Sequence, residues 1–358
     1  MALRIMVMAG GTGGHVFPAL AVADELASRG IEVCWLGVPN SFESRVVPEH
    51  GYPIEWINIA GLRGNGVMGW LVAPLKLLHA MYQAFTALRR RRPALVLGLG
   101  GFVTGPGGVV AWLMGIPLVI HEQNACPGLT NRLLAHIARR VLEAFPASFD
   151  KRQTEVTGNP VRADIAAIEA PASRLSGRSG QLRLLVLGGS QGAQALNESV
   201  PAALALIDGE LRPQVRHQAG RDKDEVTRRS YDALGVEAEV SAFVTDMREA
   251  YSWADLVVCR AGALTIAELA AAGVGAILVP YPHAVDDHQT RNGSYLTEAG
   301  AALLIAQKLI TPELLADTLI RLSEKREEVM KMAVTARSLA LPNATQRVAD
   351  ICQEVAGQ

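Results

Sequence analysis

The side chain most readily given a chemical role is His15. It sits in GGTGGHVFP (10–18), a glycine turn that follows the apolar run Leu3–Met8 and opens a helical pattern. Histidine is the commonest general base. At a helix N-terminus the free N–H groups and the positive dipole end oppose an imidazolium, so a neutral, proton-accepting ring is expected. The plainer reading is a histidine that caps or packs the turn. Half a chain later, GGSQGAQALN (188–197) repeats the design after the apolar run Leu182–Leu187, with Ser190 in the place of Thr12. Its hydroxyl and the neighbouring N–H groups can hold a phosphate oxygen. A glycine turn also serves simply to let helix and sheet pack closely. Two such turns on one ligand favour a phosphorylated molecule.

Three further polar clusters lie at the ends of apolar runs. RAGALTIAE (260–268) follows Leu256–Cys259 and opens a helix. Glu268 is placed there to accept bonds from a ribose diol or, more plainly, to complement the helix dipole. DDHQ (286–289) gathers two acids and a histidine, but no other His or Cys stands at ligand spacing. Polar contacts to a sugar are expected there rather than a metal site. HEQN (121–124) places Glu122 as a rival base to His15. The first turn is not a Walker A loop, because no Gly-Lys-Ser/Thr follows. Nor is it a clean dinucleotide fingerprint: the second strand ends Cys34-Trp35-Leu36-Gly37-Val38, with no acid for a ribose.

These groups need a scaffold. In the first half, strand patterns at Leu3–Met8, Glu32–Leu36, Ala94–Gly98, Pro117–His121 and Arg139–Glu143 alternate with helical ones at Val16–Ser28, Trp70–Arg91, Val103–Met114 and Leu129–Ala138. The second half repeats the alternation, with strands near Leu182–Leu187, Val215–Gln218, Val240–Phe243, Leu256–Cys259, Ala276–Pro280 and Ala302–Ile305. Helical patterns follow over Pro312–Leu339 and Ala344–Val355. Alternating βα units with right-handed crossovers give parallel sheets covered on both faces. The expected fold is α/β: two doubly wound, Rossmann-like domains with a cleft between them. The hinge is expected in TGNPVR (157–162) or the Ser/Gly/Arg-rich stretch 171–181.

Composition narrows the classes. At 358 residues the chain suits two domains, and 49% hydrophobic with 19% charged residues is globular. A net charge of −1 argues against nucleic acid as a partner. The four cysteines are scattered with no C-x-x-C pair, which fits a reducing compartment and no zinc. The N-terminal residues form a strand pattern rather than a signal peptide. Leu95–Ile120 carries no charge, yet its seven glycines and two prolines read as strand, glycine loop, helix and strand rather than a membrane span.

In this order, GGTGGHVFP (10–18), HEQNACPG (121–128), TGNPVR (157–162), GGSQGA (188–193) and RAGALTIAE (260–268) resemble the MurG family, the bacterial UDP-N-acetylglucosamine transferases of peptidoglycan synthesis. The likeness runs from Ala2 to about Val355. It implies a GT-B glycosyltransferase with the acceptor mainly on an N-terminal domain (1–162) and UDP-N-acetylglucosamine mainly on a C-terminal one (163–343). The last helix (344–356) would pack back on the first domain. The resemblance also implies residue roles. Thr12, Gly13 and Gly14 would lie near the donor and the acceptor diphosphate, and Asn124, Arg162 and Ser190 would contact the donor. Val244 would lend its backbone to the uracil edge. Ala263, Leu264, Thr265, Ile266, Ala267 and Glu268 would hold uridine and its ribose, and Gln289 would reach the sugar. The implied reaction transfers N-acetylglucosamine to the C4 hydroxyl of the muramyl sugar of undecaprenyl-linked lipid I, giving lipid II with inversion. Inversion in one step needs a base on the acceptor side and charge stabilisation on the leaving diphosphate. His15 would be the base; the helix N-termini and Arg162 would serve the diphosphate, with no metal and no other cofactor.

A lipid acceptor requires docking. Trp70–Arg92 is apolar almost all round, with Leu71, Leu75, Leu78, Tyr82 and Phe85 on one side and Leu77, Met81, Ala84 and Leu88 on another. It ends in Arg89, Arg90, Arg91 and Arg92. Such a helix can bury one face and offer the other to an anionic bilayer, aided by Trp112, Arg139 and Arg140. A core helix with cations at its C-terminus is the alternative. The expected location is peripheral, on the cytoplasmic face of the bacterial inner membrane, with cell-wall synthesis proteins as further partners. Competing readings are another nucleotide-sugar GT-B enzyme or a UDP-sugar epimerase, a nucleotide-dependent oxidoreductase, and a non-catalytic lipid-diphosphate binder. An epimerase needs no docking helix, the oxidoreductase lacks its ribose acid, and the binder needs neither Ser190 nor Glu268.

Overall fold

A computed structural model describes residues 3–59, 66–149, 153–189 and 191–357; the side chains of residues 66–71 and of Val285 are outside that description. The chain divides into two units, residues 1–162 with 341–358, and residues 163–340.

In unit 1, β1 (Arg4–Ala9), β2 (Glu32–Gly37), β3 (Ile54–Trp56), β4 (Leu95–Gly100), β5 (Leu118–Glu122), β6 (Arg140–Glu143) and β7 (Glu155–Val156) form a parallel sheet in the order β3-β2-β1-β4-β5-β6-β7. Central strands buried on both faces need apolar side chains in both directions, and β1 shows this. Ile5, Val7 and Ala9 pack on one side with Val16, Leu20, Leu26 and the C-terminal residues Val348, Ile351 and Cys352. Met6 and Met8 pack on the other with Ala80, Ala84, Leu88 and Val110. The strand order reverses between β1 and β4, so the loops after these neighbouring strands leave one edge of the sheet side by side. The first glycine turn is one of those loops.

Unit 2 repeats the plan. β8 (Arg183–Leu187), β9 (Gln214–Gln218), β10 (Glu239–Ser241), β11 (Leu256–Cys259), β12 (Gly275–Leu278) and β13 (Ala302–Leu304) are parallel in the order β10-β9-β8-β11-β12-β13. Leu187 pairs with Cys259, so the second glycine turn and the loop at Arg260 start from adjacent strand ends.

The segment from Leu95 to Ile120 is a strand, a glycine loop, the helix Thr104–Leu113 and a strand. Two differences from the sequence reading have clear causes. The pattern Pro312–Leu339 is two helices, Pro312–Glu324 and Arg326–Ser338, because Lys325 leaves the helical region (φ −100, ψ 64). That break delivers Arg326 to the buried Asp255, which also binds Arg178 and the N–H of Arg183 at 2.6–3.0 Å. Burial works against charge on Asp255, but these donors outweigh it and hold its carboxyl below the usual range. The chain rejoins unit 1 at Leu341, before the last helix (Ala344–Ala356) begins. Leu341 packs on Gly158, where an added Cβ would lie 2.7 Å from the leucine.

Candidate functional site

The first glycine turn is shaped from beneath. Gly11, at φ +94, gives its N–H to Glu43 Oε2 at 3.0 Å, and Val38 gives its N–H to Oε1 at 3.1 Å. Glu43 is fully buried, so its position is fixed by what it holds. Sequence reasoning missed this residue; its one signal is an acid opening the short helix Glu43–Glu49 beside an apolar strand. Thr12 is the extended N-cap of the helix Gly13–Ser28, its carbonyl accepting from the N–H groups of His15 and Val16 at 3.1 and 3.2 Å. Thr12, Gly13, Gly14 and His15 therefore form the head of one helix.

The His15 ring lies against Gly100 of the adjacent strand end. Gly100 has φ +109, and a Cβ there would be 2.8 Å from Cε1 and Nδ1 of the imidazole. His15 Nδ1 also meets Gln123 Oε1 at 2.9 Å. Gln123 Nε2 lies 3.3 Å from His121 Nδ1 and 3.2 Å from the His121 carbonyl. His121 Nε2 is 2.9 Å from the Gly158 carbonyl, and Asn159 Nδ2 donates to the Gln123 carbonyl at 3.0 Å. Burial lowers the His121 pKa to about 4, against the partial support of the Gly158 carbonyl, so the ring is neutral. Three motifs distant in sequence thus meet at one histidine.

Glu122, expected as a rival base, is occupied otherwise. Its Oε1 accepts from the backbone and side-chain amides of Asn124 at 2.9 and 3.1 Å. Its Oε2 accepts from Asn131 Nδ2 at 2.8 Å and the Gly128 N–H at 3.2 Å. Only 2% exposed and four times hydrogen-bonded, this carboxylate ties together the loop 123–128 and the start of the helix Leu129–Leu134. Asn124 is held by it, and Arg162 is half-buried just after the Gly158 turn.

In unit 2, Ser190 lies outside the described residues. Around it Gly188 donates to the Gln218 carbonyl at 2.9 Å, Gly189 and Gly192 take φ of +76 and +72, and the helix Gln194–Ala205 follows. The helix Ala263–Ala272 begins after Gly262, with Ala263 and Ile266 buried and Leu264, Thr265, Ala267 and Glu268 half-buried. Glu268 Oε2 accepts from the Tyr251 hydroxyl at 3.0 Å. Gln289 opens the helix His288–Thr297, and its Oε1 accepts from the Tyr281 N–H at 2.9 Å. Arg260 donates to the carbonyls of Val279 and Pro280 at 3.0 and 3.3 Å and lies 5.5 Å over the Tyr281 ring. Asn292 Nδ2 reaches the Ala261 carbonyl at 3.3 Å. The segments 260–268 and 279–292 are therefore tied together, whereas half-buried Val244 lies on a separate loop after β10. Among the described residues, no group of three or more His, Cys, Asp or Glu could hold a metal ion.

The helix Gly66–Arg91 packs through Ala80, Ala84, Ala87 and Leu88. Leu75, Leu78 and Tyr82 are 62–68% exposed and Phe85 36%. Leu77, on the second apolar side, is 45% exposed. The small alanines take the contact instead and bring the helix close to its neighbour Thr104–Leu113. Trp112, Leu113, Leu129 and Leu133 extend the exposed apolar set onto that helix and the next, Leu129–Leu134. No helix of the described residues is long and apolar enough to cross a membrane.

Residues 5–143 match the glycosyltransferase family 28 N-terminal domain, and residues 183–355 the family 28 C-terminal domain. A Marinobacter nauticus protein named UDP-N-acetylglucosamine--N-acetylmuramyl-(pentapeptide) pyrophosphoryl-undecaprenol N-acetylglucosamine transferase is 56% identical over 354 residues, covering 99% of this chain and 98% of its own. A Nitrosococcus oceani protein of the same name is 57% identical over 357 residues, 99% of each. The crystal structure of Acinetobacter baumannii MurG superposes with a TM-score of 0.86 at 44% identity, covering 98% of this chain and 99% of that one. The glycosyltransferase of kitacinnamycin, at 19% identity and a TM-score of 0.72, shares the fold.

Proposed function

The chain belongs to glycosyltransferase family 28, and from its full-length likeness to the named transferases we infer that it is an inverting UDP-N-acetylglucosamine-dependent hexosyltransferase. It moves N-acetylglucosamine from UDP to the C4 hydroxyl of the muramyl sugar of undecaprenyl-pyrophosphoryl lipid I, forming lipid II for peptidoglycan. The observation that carries this reading is identity above one half over 99% of the chain, which embraces both units.

The residues divide the work accordingly. In the reaction, the acceptor oxygen forms its bond to the anomeric carbon while the bond from that carbon to the diphosphate breaks and its electron pair leaves with UDP. His15 takes the acceptor proton, which fits a ring fixed at a helix head. On unit 2 the N–H groups at the head of helix Gln194–Ala205, with Ser190 in the turn before it, suit the donor diphosphate. On unit 1 the head of helix Gly13–Ser28 offers the same kind of N–H groups, and Thr12, Gly13, Gly14, Asn124 and Arg162 are the residues assigned to the substrates there. On unit 2, Glu268 accepts from the ribose diol, steadied by Tyr251. Ala263 to Ala267 and Val244 border the uridine, and Gln289 reaches the sugar.

The apolar face of Leu75, Leu78, Tyr82 and Phe85 rests on an anionic membrane surface, where a cation near the lipid contributes about 1 kcal/mol; of Arg89 to Arg92, Arg90 and Arg91 are already paired with Glu55, at 2.9 and 2.7 Å. On this reading the enzyme works peripherally on the cytoplasmic leaflet, where the lipid-linked acceptor is presented and other cell-wall synthesis proteins are reached. The test incubates labelled UDP-N-acetylglucosamine with a lipid I analogue. UDP and a disaccharide lipid are expected; release of a free sugar would favour an epimerase and overturn the reading.

A further inference from the structure

The chain of contacts behind His15 has a direction. A carbonyl oxygen can only accept, so His121 Nε2, 2.9 Å from the Gly158 carbonyl, must carry a hydrogen. With its ring neutral, His121 Nδ1 is then a bare lone pair. Gln123 turns one end of its amide to that nitrogen and to the His121 carbonyl, two acceptors at 3.3 and 3.2 Å. That end is therefore the NH2 group, and the carbonyl end, Oε1, faces His15. An amide oxygen also only accepts, so His15 Nδ1 is the donor. In a neutral ring this leaves Nε2 as the accepting nitrogen.

We propose that the Gly158 carbonyl, His121 and Gln123 form an ordered hydrogen-bond relay that fixes His15 as the Nδ1–H tautomer and so presents Nε2 as the base. Gln123 and His121 are positioning residues that act through His15, and the proposal deepens the base role given to His15 above. The relay is protected from water: His121 and Gln123 are at most 1% exposed, and Asn159 pins the Gln123 backbone at 3.0 Å. Gly158, at φ +82, supports the carbonyl that sets the direction. A glutamine suits the task because its neutral amide is donor at one end and acceptor at the other. A carboxylate in its place would add charge beside the imidazole, and a leucine would erase the direction.

The test reads the tautomer directly. The full-length protein, labelled with 15N-histidine, is examined by long-range 1H–15N correlation at a pH where His15 is neutral, with His15→Gln identifying its signals. The expected pattern is protonated Nδ1 and unprotonated Nε2. Gln123→Leu is expected to lose that pattern and to lower kcat by about tenfold to a hundredfold, the scale of a misaligned reacting group, with the Kd for UDP-N-acetylglucosamine unchanged. Gln123→Glu, which keeps an acceptor facing His15, should retain the tautomer; if the leucine variant fails to fold, the wild-type pattern itself carries the test. A wild-type ring protonated at Nε2, or an unchanged tautomer in Gln123→Leu, overturns the relay. The relay and the base role fail separately. An Nδ1–H tautomer with near-wild-type kcat in His15→Ala would keep the relay and remove the base, whereas the opposite tautomer removes the relay whatever the kcat.

Discussion

Replacing Gly100 by alanine should disable the enzyme without replacing any side chain that meets substrate, because the new methyl displaces His15. The new methyl would stand 2.8 Å from two atoms of the His15 ring, whereas carbon contacts settle at about 3.5–4.0 Å. The ring must therefore move by roughly 0.7–1.2 Å. It cannot do so freely, because its Nδ1 is bonded to Gln123 at 2.9 Å. A displacement of about 1 Å at a reacting group costs on the order of a hundredfold in rate, equivalent to about 2.7 kcal/mol in the barrier. Alanine at φ +109 also strains the backbone by about 1–3 kcal/mol, which lowers stability rather than turnover. Gly30→Ala separates the two effects: its φ is +78, and a Cβ there meets nothing within 4 Å. Both variants would be assayed for UDP release with a lipid I analogue, below their melting temperatures, alongside calorimetric titration with UDP-N-acetylglucosamine. Gly100→Ala should lose about a hundredfold in kcat with donor affinity intact, and Gly30→Ala should lose stability alone. A Gly100→Ala enzyme within threefold of wild type would refute a catalytic position for the His15 ring.

Glu268→Ala should weaken UDP-N-acetylglucosamine binding by about 1.5–3 kcal/mol, the usual worth of hydrogen bonds to a charged group, read as a Kd by calorimetry; an unaltered Kd would remove Glu268 from the ribose. Leu78→Asp with Tyr82→Asp should release the protein from anionic vesicles in a sedimentation assay while activity on a short-chain soluble acceptor survives. Undiminished vesicle binding would place the membrane contact elsewhere. Acid should destabilise both units from the inside: burial lowers the pKa of His121 to about 4 and of His217 to about 3. Because the folded values lie below the unfolded 6.5, this contribution is whole above about pH 6.5 and fades as pH falls towards 4, by up to ~1.4 kcal/mol per histidine per pH unit. Urea midpoints that stay level from pH 7 to pH 5 would contradict it.

Why some of this was legible beforehand and some was not follows from the range of each interaction. The glycine turns, the strands feeding them and His15 at a helix head are local: a dozen consecutive residues carry the whole signal. The core strands of both sheets announce themselves as apolar runs for the same reason, whereas β3 and β7, at three and two residues, are too short to show any period. Glu43 belongs to the first turn through a bond spanning 32 positions, and nothing in its neighbours marks it. Glu122 reads as a candidate base from its place at the end of a strand; its partners Asn124, Gly128 and Asn131 lie ahead in a loop and the helix after it, whose course the sequence does not display. The exposed residues of the helix Gly66–Arg91 follow in part from helical spacing, but the exposure of Leu77 does not, because alanines and Leu88 make the buried contact. The break at Lys325 is set by Asp255, 70 residues earlier, and so is invisible in the pattern it interrupts.

The return of the C-terminal helix to unit 1 has a consequence for how the protein is made. Val348, Ile351 and Val355 are buried among the residues of β1 and the helix Gly13–Ser28. Burying three such side chains contributes roughly 5–9 kcal/mol, as much as the whole net stability of many domains. Unit 1, most of which precedes unit 2 in the chain, therefore lacks this contribution until residues 344–356 have followed. Unit 2, complete by Ala340, is free to fold ahead of it. The helix head carrying His15 thus gains this support only after residues 344–356 have been made and docked.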